Sequence, residues 1–179
     1  MEYYFVVKNQ VIDYEGLFSI QELYQTINKY FRDKGYDWRE IRHHEFVNEA
    51  SRFVEMELAP WRKYNDYARN EIRLYILISD IKDVIIEQDG KRMNMQRGKV
   101  HIEIDAVLMT DYESRWETTP FLYFVRIVFD KFVYKRYINR FEAILKKDTL
   151  DLISTIKSYL NLYNYRFEKE DKEKTEDIP

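Results

Sequence analysis

The sequence contains no cysteine, and this absence excludes several kinds of site at once. Without thiols the chain has no disulfide bond, no thiolate nucleophile, no zinc finger and no iron–sulfur cluster. Glycine is nearly as scarce, with four residues in 179, and the chain has neither a glycine-rich phosphate loop nor a Gly-x-Ser-x-Gly motif. We therefore predict no cofactor, and we favour a non-enzymatic protein over a hydrolase or a nucleotide-dependent enzyme.

Long uncharged runs are also missing. The longest has eight residues, whereas a membrane-spanning helix needs roughly 20 predominantly apolar residues. The first eight residues include Glu2 and Lys8, which makes a poor signal peptide. These features predict a cytoplasmic protein without a transmembrane segment.

Charge is balanced in the body of the chain and acidic at its end. The net charge is −3, and residues 168–179 account for all of it with six acidic residues and three lysines. Because the whole chain has 29 basic and 32 acidic residues, residues 1–167 carry 26 of each. A neutral body argues against general nucleic-acid binding, which depends on attraction to phosphates. We predict one domain over residues 1–167 and an acidic disordered tail over residues 168–179.

The first 35 residues predict a strand followed by a helix. Residues 3–7 are aromatic and β-branched, which favours a strand, and a turn is expected at residues 15–16. Ser19 and Glu22 form a capping box, in which each side chain accepts from the other residue's backbone amide. Gly35 suits the position just after the helix end. This is the best-defined helix in the sequence.

Between residues 36 and 110 the apolar period changes to two. Residues 52–58, 71–79 and 100–108 each alternate apolar with polar side chains. The Asp89-Gly90 pair predicts a two-residue hairpin turn between strands at residues 83–88 and 91–96, and Gly98 marks a further turn. One-sided alternation of this kind is typical of an antiparallel sheet with one packed face and one wet face.

Residues 117–167 contain no glycine and a single proline, Pro120. Thr119 and Pro120 are a typical helix start, a hydroxyl cap followed by the position that tolerates proline. The segment predicts a long C-terminal helix, or two abutting helices if Asp148 caps a second one. Between residues 121 and 137 apolar side chains point in almost every direction, so this part is expected to be buried on more than one side.

These elements predict an α+β fold, a curved antiparallel sheet packed against a long C-terminal helix with one shorter N-terminal helix. The element order resembles that of the START-like (SRPBCC, helix-grip) domains over roughly residues 3 to 163. The family has two short helices where this chain has one, and no short motif supports the likeness. The resemblance implies a cavity for a hydrophobic small molecule between the sheet and the helix.

Our leading hypothesis is accordingly a non-enzymatic domain that holds an apolar molecule or lipid between the sheet and residues 121–145. Ala106 is a small residue among large inward ones and indicates where space exists. The expected lining residues are Ile104, Ala106, Leu108, Phe124, Val128 and Phe132.

The second hypothesis is a protein-interaction or assembly subunit, either a homodimer or a member of a complex, with a packed core and no ligand. Trp116 and Arg115 lie in a charged connection before the long helix, and Trp61 lies in an aromatic and basic segment. Tryptophan combines an apolar body with a polar N–H and is favoured at interfaces. We predict these three residues as partner contacts.

The third hypothesis is an RNA-binding accessory protein. The segment after Pro60 mixes aromatic rings with cations, which can hold single strands by stacking and charge. The most basic stretch is the predicted hairpin, with Lys91, Arg92, Arg97 and Lys99 as candidate contacts. Charged hairpins also serve simply to protect sheet edges, and we prefer that interpretation.

Histidine and carboxylate pairs offer little chemistry. His43 and His44 are adjacent on a predicted strand, so they point to opposite faces and do not converge on one metal ion. His101, Glu103 and Asp105 share the polar face of another strand and could act in acid–base chemistry only inside a closed pocket. A solvated strand face is the preferred interpretation, and we predict no metal site.

Overall fold

The structure is a computed structural model that describes residues 2–47, 52–88, 91–110 and 135–176. Strand β1 (Glu2–Phe18) is followed by helix α1 (Ile20–Asp33). Then come β2 (Glu40–Val47), β3 (Arg52–Leu58), β4 (Trp61–Lys63), β5 (Ala68–Gln88), β6 (Lys91–Thr110) and helix α2 (Lys135–Glu176). The strands form one antiparallel sheet in the order β1-β6-β5-β3-β2, and β4 pairs with β5 beyond the end of β3. The predicted α+β class is confirmed.

Both helices cover the same face of the sheet. The three runs of alternating residues turn their apolar side chains to this face, as predicted, and Leu74, Ile76, Ile102 and Ile104 are fully buried there. Helix α1 contributes Leu23, Ile27 and Phe31 to the same core, and α2 contributes Leu145, Leu152, Ile156 and Leu160. A C-terminal helix on one face of an antiparallel sheet is compatible with a helix-grip arrangement.

Helix α1 begins and ends as the sequence predicts. The Ser19 side chain accepts a hydrogen bond from the Glu22 amide at 3.3 Å, and Gly35 has a φ of +72°. Two further contacts attach the helix start to the rest of the fold. The Ile20 amide donates to Gln96 Oε1 at 3.2 Å, and the Tyr159 hydroxyl donates to the Ser19 carbonyl at 2.9 Å.

Two predicted turns are wrong, because glycine is used here for close packing inside strands. Strand β1 continues through residues 15–16 to Phe18, and Gly98 lies within β6, where it pairs with Gly16. Opposite Gly98, β5 has an irregularity between Ser79 and Lys82, with Asp80 at a φ of +56°. A Cβ on Gly98 would lie 2.7 Å from the Ser79 carbonyl oxygen. The missing side chain lets the irregular segment of β5 approach β6.

The predicted hairpin around residues 89–90 is the end of two long strands, β5 and β6. Segments predicted as separate strands on either side of residue 98 form single strands of 21 and 20 residues. Gln88 pairs with Lys91, as the predicted two-residue hairpin requires. Asp89 and Gly90 themselves lie outside the described residues.

The Gly98→Ala substitution is expected to lower the free energy of unfolding by about 2 kcal/mol, because the new methyl group meets backbone that cannot rotate away. Gly16→Ala is the matched control, since a Cβ there meets the hydroxyl end of the Tyr14 side chain at 2.6 Å. A flexible side chain can move, so we expect a loss under about 1 kcal/mol for the control. Urea unfolding of both variants measures the difference, and equal losses would contradict the argument.

Helix α2 is continuous across residues 146–149, the only break that the sequence suggested. Asp148 therefore does not begin a second helix. The predicted helix start at Pro120 and the apolar segment up to residue 134 lie outside the described residues. The backbone of residues 168–176 continues α2, and the division of the chain into a domain and a tail stays a prediction. No helix in the described ranges is long and apolar enough to cross a membrane.

Candidate functional site

An open groove lies between the first turns of α1 and the ends of β2, β3 and β6. We call it the α1 groove; its volume is 410 Å³, and Val54 and Met56 form its floor. It exists because α2 packs mainly on β1, β6 and β5, which leaves the β2–β3 end of this sheet face to the shorter helix. The groove therefore interrupts the cover over an otherwise packed apolar face.

The floor of the groove is apolar and its walls are polar. Val54 and Met56 are 2% and 1% exposed, as the alternation of β3 predicts. The walls include Tyr24 from α1, His43 from β2 and Arg52 from β3. A ligand in the groove would meet hydrocarbon below and hydrogen-bonding groups at the rim.

Arg52 is held in place by two carboxylates. Its Nε lies 2.7 Å from Glu45 Oε1, and its Nη1 lies 2.7 Å from Asp83 Oδ2. Gln96 donates to the other Asp83 oxygen at 3.1 Å, while its carbonyl oxygen accepts the Ile20 amide. This chain of contacts fixes the groove wall from β2 to the start of α1.

Tyr24 and His43 form an aromatic wall. Their ring centroids are 6.2 Å apart with planes at 28°, and Tyr24 also meets Trp38 edge-on at 5.6 Å. The Tyr24 hydroxyl donates to Glu40 Oε2 at 2.8 Å. Burial raises the pKa of Tyr24, and the adjacent Glu40 carboxylate raises it further, so the phenol remains a neutral hydrogen-bond donor.

The groove presents side-chain donors and acceptors from four elements, α1, β2, β3 and β6. Within the described ranges, no three His, Asp or Glu side chains are placed to hold a metal ion. What the groove offers is a shaped surface with a fixed pattern of donors and acceptors.

The predicted ligand-binding residues lie elsewhere. Ile104, Ala106 and Leu108 are fully buried in the core on the helix-covered face of β6, and none of them lines the α1 groove. Phe124, Val128 and Phe132 lie outside the described residues. The lining predicted for a cavity beneath the C-terminal helix thus stays a prediction.

The predicted nucleic-acid residues all lie on β6. Because side chains alternate along a strand, Arg97 and Lys99 share one face while Arg92 lies on the other. Lys99 Nζ donates to Asp80 Oδ2 at 2.8 Å, and this hydrogen bond raises the pKa of the lysine. Lys91 begins the strand.

Among the predicted partner residues, only Trp61 is described. It begins β4 and is half-buried, with the Arg69 guanidinium 5.4 Å from its ring centroid. Arg69 also lies 3.6 Å from Glu71, whose carboxylate is buried on the sheet face that the helices do not cover. Arg73 Nε lies 2.7 Å from the same carboxylate. Arg115 and Trp116 lie outside the described residues.

Sequence reasoning missed a buried polar cluster between α2 and the sheet, which we call the Asp148 network. The Asp148 carboxylate accepts hydrogen bonds from Tyr36 at 3.2 Å, from Arg62 at 3.0 Å and from Lys34 at 3.3 Å. Its backbone carbonyl accepts the Tyr30 hydroxyl at 2.6 Å. The signal in the sequence is a polar Lys-Lys-Asp-Thr run inside an apolar helix, which is compatible with one continuous helix or with a break between two.

Arg62 is the centre of this network on the sheet side. Its guanidinium lies over the rings of Tyr36 and Tyr64, 4.6 and 5.0 Å from their centroids. It also donates to the Lys34 carbonyl at 2.9 Å and to the Tyr64 hydroxyl at 2.6 Å. Burial raises the pKa of Tyr30 to about 12 and raises those of Tyr36 and Tyr64. Asp151 adds a second carboxylate, 3.1 Å from Lys34 Nζ, so two cations face two carboxylates, which indicates a structural role.

On the opposite face, His101 lies between two carboxylates. Its Nδ1 is 2.6 Å from Asp13 and its Nε2 is 3.1 Å from Glu103, and these hydrogen bonds raise the histidine pKa, Asp13 contributing more. The resulting stabilisation is full below the unfolded-state pKa of about 6.5 and is lost as the pH rises through the higher folded-state value.

We expect an NMR titration to give His101 a pKa above 6.5, the model-peptide value. Asp13→Asn should lower that pKa by more than Glu103→Gln does, because Asp13 makes the shorter contact. An unchanged pKa in the Asp13→Asn variant would show that the two side chains do not interact in solution.

No protein-family model, no curated protein and no solved structure matches this chain.

Proposed function

We propose that this protein is a non-enzymatic binding domain that holds a small amphiphilic molecule in the α1 groove. The observation that carries the proposal is an open volume of 410 Å³ above an apolar floor on the helix-covered face of the sheet. Small-molecule sites have volumes of about 300–1,000 Å³, and this groove falls within that range with a lining that is mostly polar. A second cleft between β1 and α2 measures 220 Å³, which is below that range.

The chemistry of the groove specifies the class of ligand. An apolar part would lie above Val54 and Met56, which are only 2% and 1% exposed, so most of the contact would come from the walls. A hydrogen-bonding end would face Tyr24 and His43. Arg52 already has two carboxylate partners, so the wall carries little free positive charge. An uncharged or zwitterionic polar end suits this wall better than a simple anion.

This proposal keeps the binding function expected from the sequence but assigns it to another part of the same sheet face. A ligand beneath residues 121–145 stays a second prediction, because half of its lining lies outside the described residues. RNA binding also stays a prediction, and the placement of Arg92 apart from Arg97 and Lys99 gives it no support.

Filling the groove is expected to weaken binding of an uncharged fluorescent amphiphile, N-phenyl-1-naphthylamine. Asn94 is exposed on the groove wall, so Asn94→Trp places an indole in the open volume without altering the core. We expect at least about tenfold weaker binding, or roughly 1.4 kcal/mol. Gln10→Trp on the exposed edge of β1 is the matched control and should bind as the wild type does.

Native mass spectrometry of the purified protein provides the second measurement. We expect a co-purified small molecule in the wild type and its loss in the Asn94→Trp variant. Equal binding of the dye by both tryptophan variants, with no added mass on the wild type, would reject the groove as the site.

A further inference from the structure

Strand β2 lies at one edge of the sheet that the described strands form. It pairs with β3, and among the described strands it has no second neighbour. All eight of its residues are exposed, including Phe46 at 43% and Val47 at 69%. An exposed edge that carries large apolar side chains is a template for strand addition, because its outward N–H and C=O groups have no partner within the sheet.

The opposite edge, β1, is protected in a way that β2 is not. Strand β1 has two register shifts between Phe5 and Gln10, and Asn9 adopts a φ of +50°. The Asn9 amide donates to Asp105 at 2.8 Å, which holds the bulge in place. Such bulges twist an edge away from another strand. Residues 42–47 of β2 pair regularly with β3 and have no shift.

We propose that a second copy of this chain pairs with β2 through its own β2, in antiparallel register centred on His44. A two-fold axis normal to the sheet keeps each face of the two sheets on the same side, so opposite residues must belong to the same face. One residue then lies opposite its own copy, and the axis passes midway between these two copies. When the register is centred on His44, His43 lies opposite the partner's Glu45, and Arg42 lies opposite the partner's Phe46. Each favourable pair occurs twice because the interface is isologous.

The neighbouring registers are worse. Centring on Glu45 places two carboxylates directly opposite each other, and like charges in that position are destabilising. Centring on His43 places Arg42 opposite the partner's His44 and Ile41 opposite the partner's Glu45, which provides no complementary charge. The charges of β2 therefore select one register out of three.

Pairing in this register joins two six-stranded sheets into one continuous sheet. His43 and Glu45 line the α1 groove, so the two grooves would lie next to each other on the same face. This inference does not depend on the identity of a ligand. The dimer can exist with both grooves empty, and a ligand can bind a monomer.

The absence of cysteine makes the register directly testable. In the proposed dimer the two copies of residue 44 have Cα atoms about 4.5–5.5 Å apart, within the range that a disulfide spans. We expect His44→Cys to form a disulfide-linked dimer under mild oxidation. The two copies of residue 42 would be about 14 Å apart along the strands at about 3.4 Å per residue, so Arg42→Cys alone should remain unlinked. A mixture of Arg42→Cys and Phe46→Cys should form linked heterodimers.

Light scattering of the wild type, which needs no substitution, should show twice the 22.2 kDa of one chain. The His44→Glu variant places two carboxylates at the axis. Its dimer dissociation constant should be at least about tenfold higher than that of the wild type. Gln10→Cys on β1 is the control for random collision. A monomer at all concentrations overturns the proposal, as does a dimer in which His44→Cys links no faster than Gln10→Cys.

Discussion

Replacing Asp148 with alanine is expected to lower the free energy of unfolding by about 3 kcal/mol, because it leaves the partly buried Arg62 guanidinium without a carboxylate and removes one of the two carboxylates that pair with Lys34. Asp148 is 5% exposed, and its partners Arg62 and Lys34 have side chains that are 21% and 33% exposed. The desolvation of these cations is offset by Asp148 in the folded state. Without it, Arg62 remains between two tyrosine rings with no acidic partner in the network.

Asp151 provides the matched control for Asp148. It lies one turn further along α2 and also accepts from Lys34, at 3.1 Å, but its side chain is 44% exposed. An exposed ion pair contributes between about 0 and 1 kcal/mol, so Asp151→Ala should have a small effect. Urea unfolding curves of the two variants compare a buried with an exposed carboxylate on the same helix face and against the same lysine.

A double-mutant cycle separates the ion pair from the lost volume. If Arg62 destabilises the Asp148→Ala variant because it is unpaired, then adding Arg62→Met should recover part of the loss. Strictly additive losses would show that the network acts through packing alone. A loss in Asp148→Ala no larger than that in Asp151→Ala would mean that α2 does not bury this carboxylate.

The parts of the fold that were predictable from sequence are those with a short-range cause. The cap at Ser19 and the positive φ of Gly35 follow from local hydrogen bonding and sterics, and the inward faces of β3, β5 and β6 follow from an apolar period of two. The turn predicted at Gly98 is wrong because the sequence does not distinguish a glycine needed for a turn from one needed for a close approach between strands. Only the irregular segment of β5 opposite it distinguishes the two, and that pairing is long-range.

The candidate site could not be predicted for the same reason. Its walls come from α1, β2, β3 and β6, which are distant in sequence and meet only because α1 crosses the end of the sheet. His43 was noted in the sequence, but Arg52 and Gln96 look like ordinary strand polar residues until their contacts to Asp83 and Ile20 are known. Asp148 is ambiguous in the sequence, because a polar run inside an apolar helix has two explanations. Only the facing cations, Lys34 just after α1 and Arg62 on β4, decide between them.

The groove and the β2 edge lie at the same end of the sheet. Helix α2 packs mainly on β1, β6 and β5, α1 alone contacts the β2–β3 end, and β2 is the last described strand there. An exposed strand edge is a template for pairing with another chain. The proposed small molecule and the proposed second chain would therefore occupy neighbouring parts of the fold.

The packing of α2 can be tested with two leucines on the same helix. Leu152 is fully buried against the sheet, and Leu150, two residues earlier, is 50% exposed. Replacing Leu152 with alanine removes buried methyl groups and leaves a cavity, which costs about 2–5 kcal/mol in well-packed cores. The change in helix propensity is the same at both positions, so it cancels in the comparison.

We therefore expect Leu152→Ala to lower the free energy of unfolding by about 3 kcal/mol and Leu150→Ala by under about 0.5 kcal/mol. The measurement is urea unfolding at a low protein concentration, at which the proposed dimer is dissociated. Equal small effects would mean that α2 does not seal the core through Leu152. A large effect of Leu150→Ala that appears only at high protein concentration would instead place a second chain on the exposed side of α2, and the interface would then have to be moved from β2 to that helix.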